Sequence, residues 1–275
     1  MIHDCFTYAG EDDLLHLRLK TLDGVVGRFV IAEATRTFTG KDKPLRFDAS
    51  KFPAFAGRID YLVVDDLEAQ PGSAWENEYR QRNALARGLR DAASDDWVLL
   101  SDVDEIPRPQ ALAEFRPDRF ISAALHQRMY YYAFNNLMVS SDQPKDVPWR
   151  AARITTVHRL HHWFGSMQSL RGFRATGPLR AAKRIWNKWR TQEILDAGWH
   201  FSYLMTPEQI LDKIRSFSHQ ELNLPQYTDV AHIRESLRQR RDIFGGDREF
   251  EVVPLDASFP APLLAERERY ARWIL

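Results

Sequence analysis

The feature that most constrains this chain is the rhythm of its first hundred residues, where short apolar runs alternate with helical patterns. Residues 2–6 (IHDCF), 28–32 (RFVIA), 59–64 (IDYLVV) and 97–101 (WVLLS) read as strands. Residues 11–22 read as an amphipathic helix and 73–92 as a long one, opened by Ser73 and Glu76 at capping-box spacing. Short strands that are apolar on both faces need cover on both faces. A mostly parallel central sheet with helices on each side supplies it, so the fold class is α/β.

Such a sheet binds ligands beyond the carboxyl ends of its strands. The residues there are acidic: Glu33 after the second strand, Asp65 and Asp66 after the third, Asp102 and Asp104 after the fourth. The second half is less regular. Residues 120–134 are strand-like and aromatic, and 140–190 are rich in Arg, Trp and His and read as loops and short strands. Residues 199–204 suggest another strand. Thr206, Pro207 and Gln209 start a helix that runs to about residue 220, and Asp229 caps one that runs to about 243. With no linker in sight, residues 1–275 read as one domain with an irregular C-terminal elaboration.

Lys plus Arg equals Asp plus Glu at 38 each, which argues against a bulk polyanion such as nucleic acid as partner. Cys5 is alone, so neither a disulfide framework nor a cysteine zinc site can form, and its place in an apolar run makes it a buried strand residue. No apolar run approaches the ~20 residues of a membrane span. No signal peptide is visible, and the expected compartment is the cytoplasm. Eight Trp could stack on sugar rings or simply fill a core.

Ser101-Asp102-Val103-Asp104-Glu105-Ile106-Pro107 is the strongest local signal. Two carboxylates one residue apart, in a turn beyond a buried strand, can converge on one Mg²⁺ or Mn²⁺. Such an ion bridges to substrate phosphates and would neutralise the diphosphate leaving group of a nucleotide-sugar. Phosphatases of the haloacid-dehalogenase type also carry D-x-D after a strand, usually the first one. A non-catalytic sugar-binding module is the other alternative.

Three charges fall on apolar helix stripes. Arg82 lies between Trp75, Tyr79, Ala86 and Leu89, where a diphosphate or a carboxylate such as Asp102 would suit its planar fork. Arg18 sits among Leu14, Leu15 and Leu22 and reads as half of a structural ion pair. Glu221 shares the stripe of Ile210, Ile214 and Phe217, so an inward general base is expected there. His200 follows Gly198-Trp199 at the start of a strand.

Together the stretches DCFTYAGEDDLLHLRLKTL, FVIAEATRTFTGKDKPLRF, WENEYRQRNAL, VLLSDVDEIP, AGWHFSYLMTPEQILDKIRSFSHQE and IRESLRQRRDIF resemble glycosyltransferase family 17, over roughly residues 2–245. The resemblance implies a GT-A-like fold and an inverting transfer of a sugar, N-acetylglucosamine in the best-known case. The donor is a nucleotide-sugar, a UDP-sugar first among them, and the acceptor a glycan or glycoside. It assigns residues 1–110 to the donor half and 111–275 to the acceptor half with the C-terminal helices. It places Glu33, Thr37, Lys43 and Arg82 on the donor side with Asp65 nearby. Asp102 and Asp104 become the metal and diphosphate contact, and His200 a third metal ligand. Glu221 is the expected base, with Asp196 next. Animal members carry a membrane anchor and a long stem that this sequence does not show. That turns the expected acceptor from N-glycans toward a polysaccharide, a lipid-linked sugar or a small glycoside.

Overall fold

The structure, a computed structural model, describes residues 1–139, 148–172 and 185–275. The first-half elements are β1 (Ile2–Thr7), α1 (Asp12–Leu22), β2 (Arg28–Ala34), β3 (Ile59–Val64), α2 (Ala74–Ala84) and β4 (Trp97–Asp102). Their strands pair side by side in the order β3-β2-β1-β4, all parallel. The two-residue alternation divides them between two cores. Phe6, Phe29, Ile31 and Leu99 face one layer with α1, and Cys5, Val30, Ala32 and Leu100 face the other. Each fully buried Phe, Ile, Leu or Val among them is worth roughly 1.5–3 kcal/mol against exposure.

Helix α2 is shorter than the 73–92 span expected. It ends at Ala84 and tightens into a 3₁₀ turn over Leu85–Leu89, which seats Leu85 and Leu89 against the sheet. Gly88 lies where a Cβ would meet Val30 Cγ1 at 2.4 Å, so the turn descends onto β2 at its glycine. Ser73 has the extended N-cap backbone, but its side chain makes no cap bond, and the expected capping box does not form there.

Beyond β4 come β5 (Glu105–Pro107), α3 (Pro109–Leu112), β6 (Ser122–Tyr131), β7 (Asn136–Val139), β8 (Arg153–Thr156), α4 (Val157–Arg159) and α5 (Met167–Arg171). They are followed by β9 (Thr191–Ser202), α6 (Pro207–Ser216), α7 (Val230–Gln239), β10 (Glu249–Val252) and α8 (Ala261–Ala265). The expected loops and short strands of 140–190 lie partly outside the described residues, at 140–147 and 173–184. The described ten strands form one sheet, parallel through its first four and mixed thereafter: β8 joins β4 antiparallel, while β9 runs parallel to β6 and antiparallel to β5. Strand β9 begins eight residues before the 199–204 expected, because β6 pairs with it along its length.

Thr206 and Gln209 form a complete capping box on α6, and Asp229 caps α7 through the amides of Ala231 and His232. Both helices stop short of their expected ends, at Ser216 and Gln239. They press Ile210, Ile214 and Ile233 against Tyr131, Tyr132 and Tyr203, where β6 and β9 finish.

Candidate active site

The turn after β4 is braced from below. Arg18 is fully buried and meets Asp4 in a two-point ion pair at 2.8 and 2.6 Å. The same guanidinium donates to the carbonyls of Asp102 (3.0 Å) and Glu105 (2.8 Å) and to Ser101 Oγ (2.6 Å). It is therefore the structural ion pair the sequence suggested. It also pins two carbonyls and the Ser101 hydroxyl of the acidic turn, and none of its bonds is spent on the Asp102 or Asp104 carboxylates.

Three acids and two arginines meet above it. Arg171, at the end of α5, contacts Asp102 Oδ2 at 2.7 Å and grips both oxygens of Glu105. Glu105 has no exposed surface; it also accepts from the Asp102 amide at 3.0 Å and from Trp149 Nε1. Arg82 points into this cluster. It pairs with Glu78 at 2.6 Å, donates to Gln168 and stands 3.6 Å from Asp102 Oδ1. On the other side His200 Nε2 lies 3.5 Å from Asp104 Oδ2, and its ring packs against Trp149 at 4.8 Å. His200 reaches this position because β9 pairs it with Glu105 across the β5 ladder.

Burial alone would raise the pKa of Asp102. Arg171 and then Arg82 overcome it and hold the carboxyl below its ordinary value. Asp104 is likewise burdened by burial, but His200, Lys213 and Arg171 drive it well below the carboxylate range. Arg171 is raised despite its burial, through Asp102 and Glu105. Glu11, at the mouth of α1, goes the other way: burial lifts it and Asp104 adds to the lift, against the opposing charge of Lys213. Both carboxylates of the D-x-D are thus anionic at neutral pH.

Among the described residues, no three His, Cys, Asp or Glu side chains are gathered as a ready metal cage. The donor set fits a hard or borderline divalent ion in part. Asp104 and His200 face one another, and His200 Nδ1 is buried with no hydrogen-bond partner among the described residues. The Asp102 side chain is 34% exposed. Mg²⁺-type sites commonly take few protein ligands and complete their shell with water and phosphate oxygens.

Other expected residues lie elsewhere. Glu33 is fully buried, and its carboxylate accepts from the amides of Arg46 (2.8 Å) and Phe47 (3.0 Å), Tyr61 OH (2.9 Å) and Lys43 Nζ (3.3 Å). Thr37 closes its own turn, its Oγ1 accepting from the Lys41 amide at 3.1 Å. Glu33, Thr37 and Lys43 therefore shape the loop after β2, their polar atoms satisfied within it. Asp65 is exposed beyond β3, with β2 and β1 between it and β4.

Glu221 is not on the inward stripe expected of it. The helix ends at Ser216, and Glu221 stands exposed on a separate 3₁₀ turn. There it bonds His219 Nδ1 at 2.6 Å, and His219 packs edge-on against Trp75 at 4.6 Å. That bond holds its pKa below the ordinary glutamate value. Asp196 pairs with Arg108 at 3.2 Å and Arg128 at 3.4 Å. Arg108 stacks on Trp199, which places Asp196 on the Trp199 face of β9, away from His200. Sequence reasoning missed Arg171, Trp149, Lys213 and Glu11. Among the members that were given no role from the sequence, only Glu105 had a signal, directly adjoining the D-x-D.

A profile of glycosyltransferase family 17 matches residues 1–254. The beta-1,4-mannosyl-glycoprotein 4-beta-N-acetylglucosaminyltransferase of Rattus norvegicus is 27% identical over 273 residues, covering 90% of this chain and 49% of its own. The Homo sapiens protein of that name is 26% identical over 245 residues, covering 82% and 44%. The chain thus spans about half the length of the curated relatives it matches. Among solved structures, glucosyl-3-phosphoglycerate synthase from Mycobacterium tuberculosis, in complex with Mn²⁺, uridine diphosphate and phosphoglyceric acid, superposes with a TM-score of 0.41 at 13% identity, covering 96% and 91% of the two chains. The galactosyltransferase LgtC, with donor and acceptor sugar analogs, gives a TM-score of 0.37 at 10% identity, covering 70% and 73%. The architecture is α/β, with helices packed on a ten-stranded mixed sheet among the described residues. With a profile match that takes in all of the acidic turn and the β9 histidine, the chain belongs to glycosyltransferase family 17.

Proposed function

We propose that this protein is an inverting, divalent-metal-dependent glycosyltransferase that moves a sugar, N-acetylglucosamine for preference, from a uridine-diphosphate donor to a hydroxyl of a glycan or glycoside. One observation carries the reading: Asp102 and Asp104 leave β4 in a turn fixed by Arg18, with His200 across from Asp104 and two arginines against Asp102. The names of the curated relatives support the choice of sugar.

In this reading Asp102, Asp104 and His200 hold Mn²⁺ or Mg²⁺, which supplies Lewis-acid neutralisation of the departing diphosphate. Arg82 and Arg171 add fixed positive charge beside the same phosphates, so the leaving group meets cations that need no reorganisation. The acceptor hydroxyl needs a carboxylate to take its proton. Glu221, with His219 behind it and Trp75 as neighbour, is the proposed base. Glu11 is the second candidate, because it shares the electrostatic field of Asp104 and Lys213.

Calorimetric titration of UDP and GDP, with Mn²⁺ and with EDTA, tests the reading. UDP should bind at least about tenfold tighter with Mn²⁺, as expected when an ion bridges protein and diphosphate, and Asp104→Asn should remove that difference. Equal affinity in both buffers counts against the metal bridge. In donor turnover, Glu221→Gln should lose about 10²-fold or more at unchanged UDP affinity. The same loss on Glu11→Gln instead reassigns the base.

A further inference from the structure

Residues 185–190 form a helical stretch that turns an unusual face outward. Asn187 is its buried member, accepting from Trp163 Nε1 at 2.7 Å through Oδ1 and from Thr191 Oγ1 at 2.7 Å through its carbonyl. The opposite side carries Trp189, 79% exposed, with Ile185 at 57% and Trp186 at 43%. Positions 185, 186 and 189 share one helical face.

Cations ring these apolar side chains. Lys188 and Arg190 are exposed on the same stretch, and Arg190 lies over the Trp186 ring at 5.4 Å. The Arg190 carbonyl accepts from the Ile121 amide at 2.9 Å, which sets residues 116–121 alongside. That segment brings Arg116 and the 78%-exposed Arg119, with Asp118 as its one acid. Arg159 bonds the carbonyls of Pro117 and Phe120, and burial together with the charge of Arg190 lowers its pKa. Residues 116–121 and 185–190 together with Arg159 thus carry five basic side chains and one acid, in a chain whose formal net charge is zero.

We infer that this surface docks on an anionic lipid bilayer, with Ile185, Trp186 and Trp189 entering the headgroup boundary and the surrounding arginines and Lys188 meeting lipid phosphates. Tryptophan suits that boundary because its ring is apolar and its N–H polar, and long basic side chains reach back to the headgroups. Trp189 stands as exposed as Arg119, and the cations flank the apolar group. A strand-binding groove for nucleic acid has the reverse plan, with aromatics lining a cationic channel.

The docking face lies at the sheet edge remote from the acidic turn. Thr191 pairs with Ser122, Ser122 with Thr155, and Thr156 with Trp97 at the start of β4, whereas Asp102 is at its end. The six residues of β4 separate the two edges by roughly 20 Å. A docked molecule therefore holds its sugar site toward the water. The inference does not depend on the assigned reaction.

Sedimentation of the full chain with vesicles tests it, using phosphatidylcholine alone and phosphatidylcholine mixed with phosphatidylglycerol. The protein should pellet with the anionic vesicles, show a blue-shifted tryptophan emission there, and detach in high salt. Lys188→Glu with Arg190→Glu should weaken binding by about tenfold or more, and Trp189→Ser should reduce the blue shift, Trp186 keeping the remainder. Both variants should keep the circular dichroism and donor turnover of the parent, since neither touches the acidic turn. No pelleting on either vesicle, equal pelleting on both, or binding indifferent to both variants overturns the inference. So does self-association that Trp189→Ser abolishes, which would give the surface to a second copy of the chain.

Discussion

Arg171 holds together acids that would otherwise repel one another. Glu105 is fully buried and depends on this guanidinium and the Trp149 indole, while Asp102 shares its Oδ2 with it at 2.7 Å. Removing one partner of a buried ion pair leaves an uncompensated charge and costs about 3–5 kcal/mol. Arg171→Gln should therefore lower the free energy of unfolding in urea by an amount of that order. Adding Glu105→Gln should restore part of it, because the two changes share one interaction. A loss below about 1 kcal/mol, the level of an exposed pair, would mean that the pair is hydrated and that Glu105 is held by other means. Arg18 works differently: its charge is matched by Asp4, and its remaining donors hold carbonyls, so it sets backbone position and leaves ligand charge to others.

At the scale of elements, the short ladder between β5 and β9 decides whether the site exists. It pairs Glu105 with His200, Ile106 with Trp199 and Pro107 with Gly198. Gly198 sits at φ 146°, and a Cβ there would lie 2.2 Å from the Ile106 carbonyl oxygen. Only glycine takes that backbone without strain and lets the strands approach so closely. Gly198→Ala should cost about 1–3 kcal/mol in strain. By pushing β9 off β5 it should also move His200 away from Asp104. The expected outcome is a lower melting temperature together with weaker Mn²⁺-dependent UDP binding. Loss of stability with metal dependence intact would show that His200 stands outside the ligand set.

Over the whole molecule, the acidic turn couples the site to pH. Asp102 and Asp104 have folded-state pKa values below those of the unfolded chain, so protonation favours unfolding. Their stabilisation is present above the ordinary carboxylate pKa, about 4, and is lost as pH falls through the depressed folded values. Glu11 has the opposite sign, since its raised pKa makes ionisation a cost that acid relieves. Carboxylates held low, Asp96 among them, outnumber the raised Glu11 and Asp4, so melting temperature should be flat from neutrality to about pH 5 and fall below about pH 4. Asp104→Asn should shallow that fall. A variant whose acid limb superposes on the parent's would show that Asp104 has no part in it.

What could be read from the sequence was local. The two-residue alternation of Cys5, Phe6, Val30 and Ile31 is a property of adjacent side chains, and so are the Thr206–Gln209 box and the Asp229 cap. The acidic turn is also legible, because strand end and carboxylates are neighbours in the chain. Tertiary structure alone decided who faces whom. Arg171 meets Glu105 across 66 positions and Asp102 across 69, with no periodic pattern in its own stretch to announce it. Glu33 looked free at a strand end, yet the loop that follows it folded back and took its oxygens. Glu221 shared a stripe with Ile214 only while the helix was assumed to continue; Phe217 leaves the helix with ψ 175° and the stripe is lost. Patterns between neighbours follow from bond geometry and burial, which are written residue by residue. Partners across the chain follow from how strands choose one another and how a buried charge finds its counter-charge, and those are settled only when the whole sheet has closed.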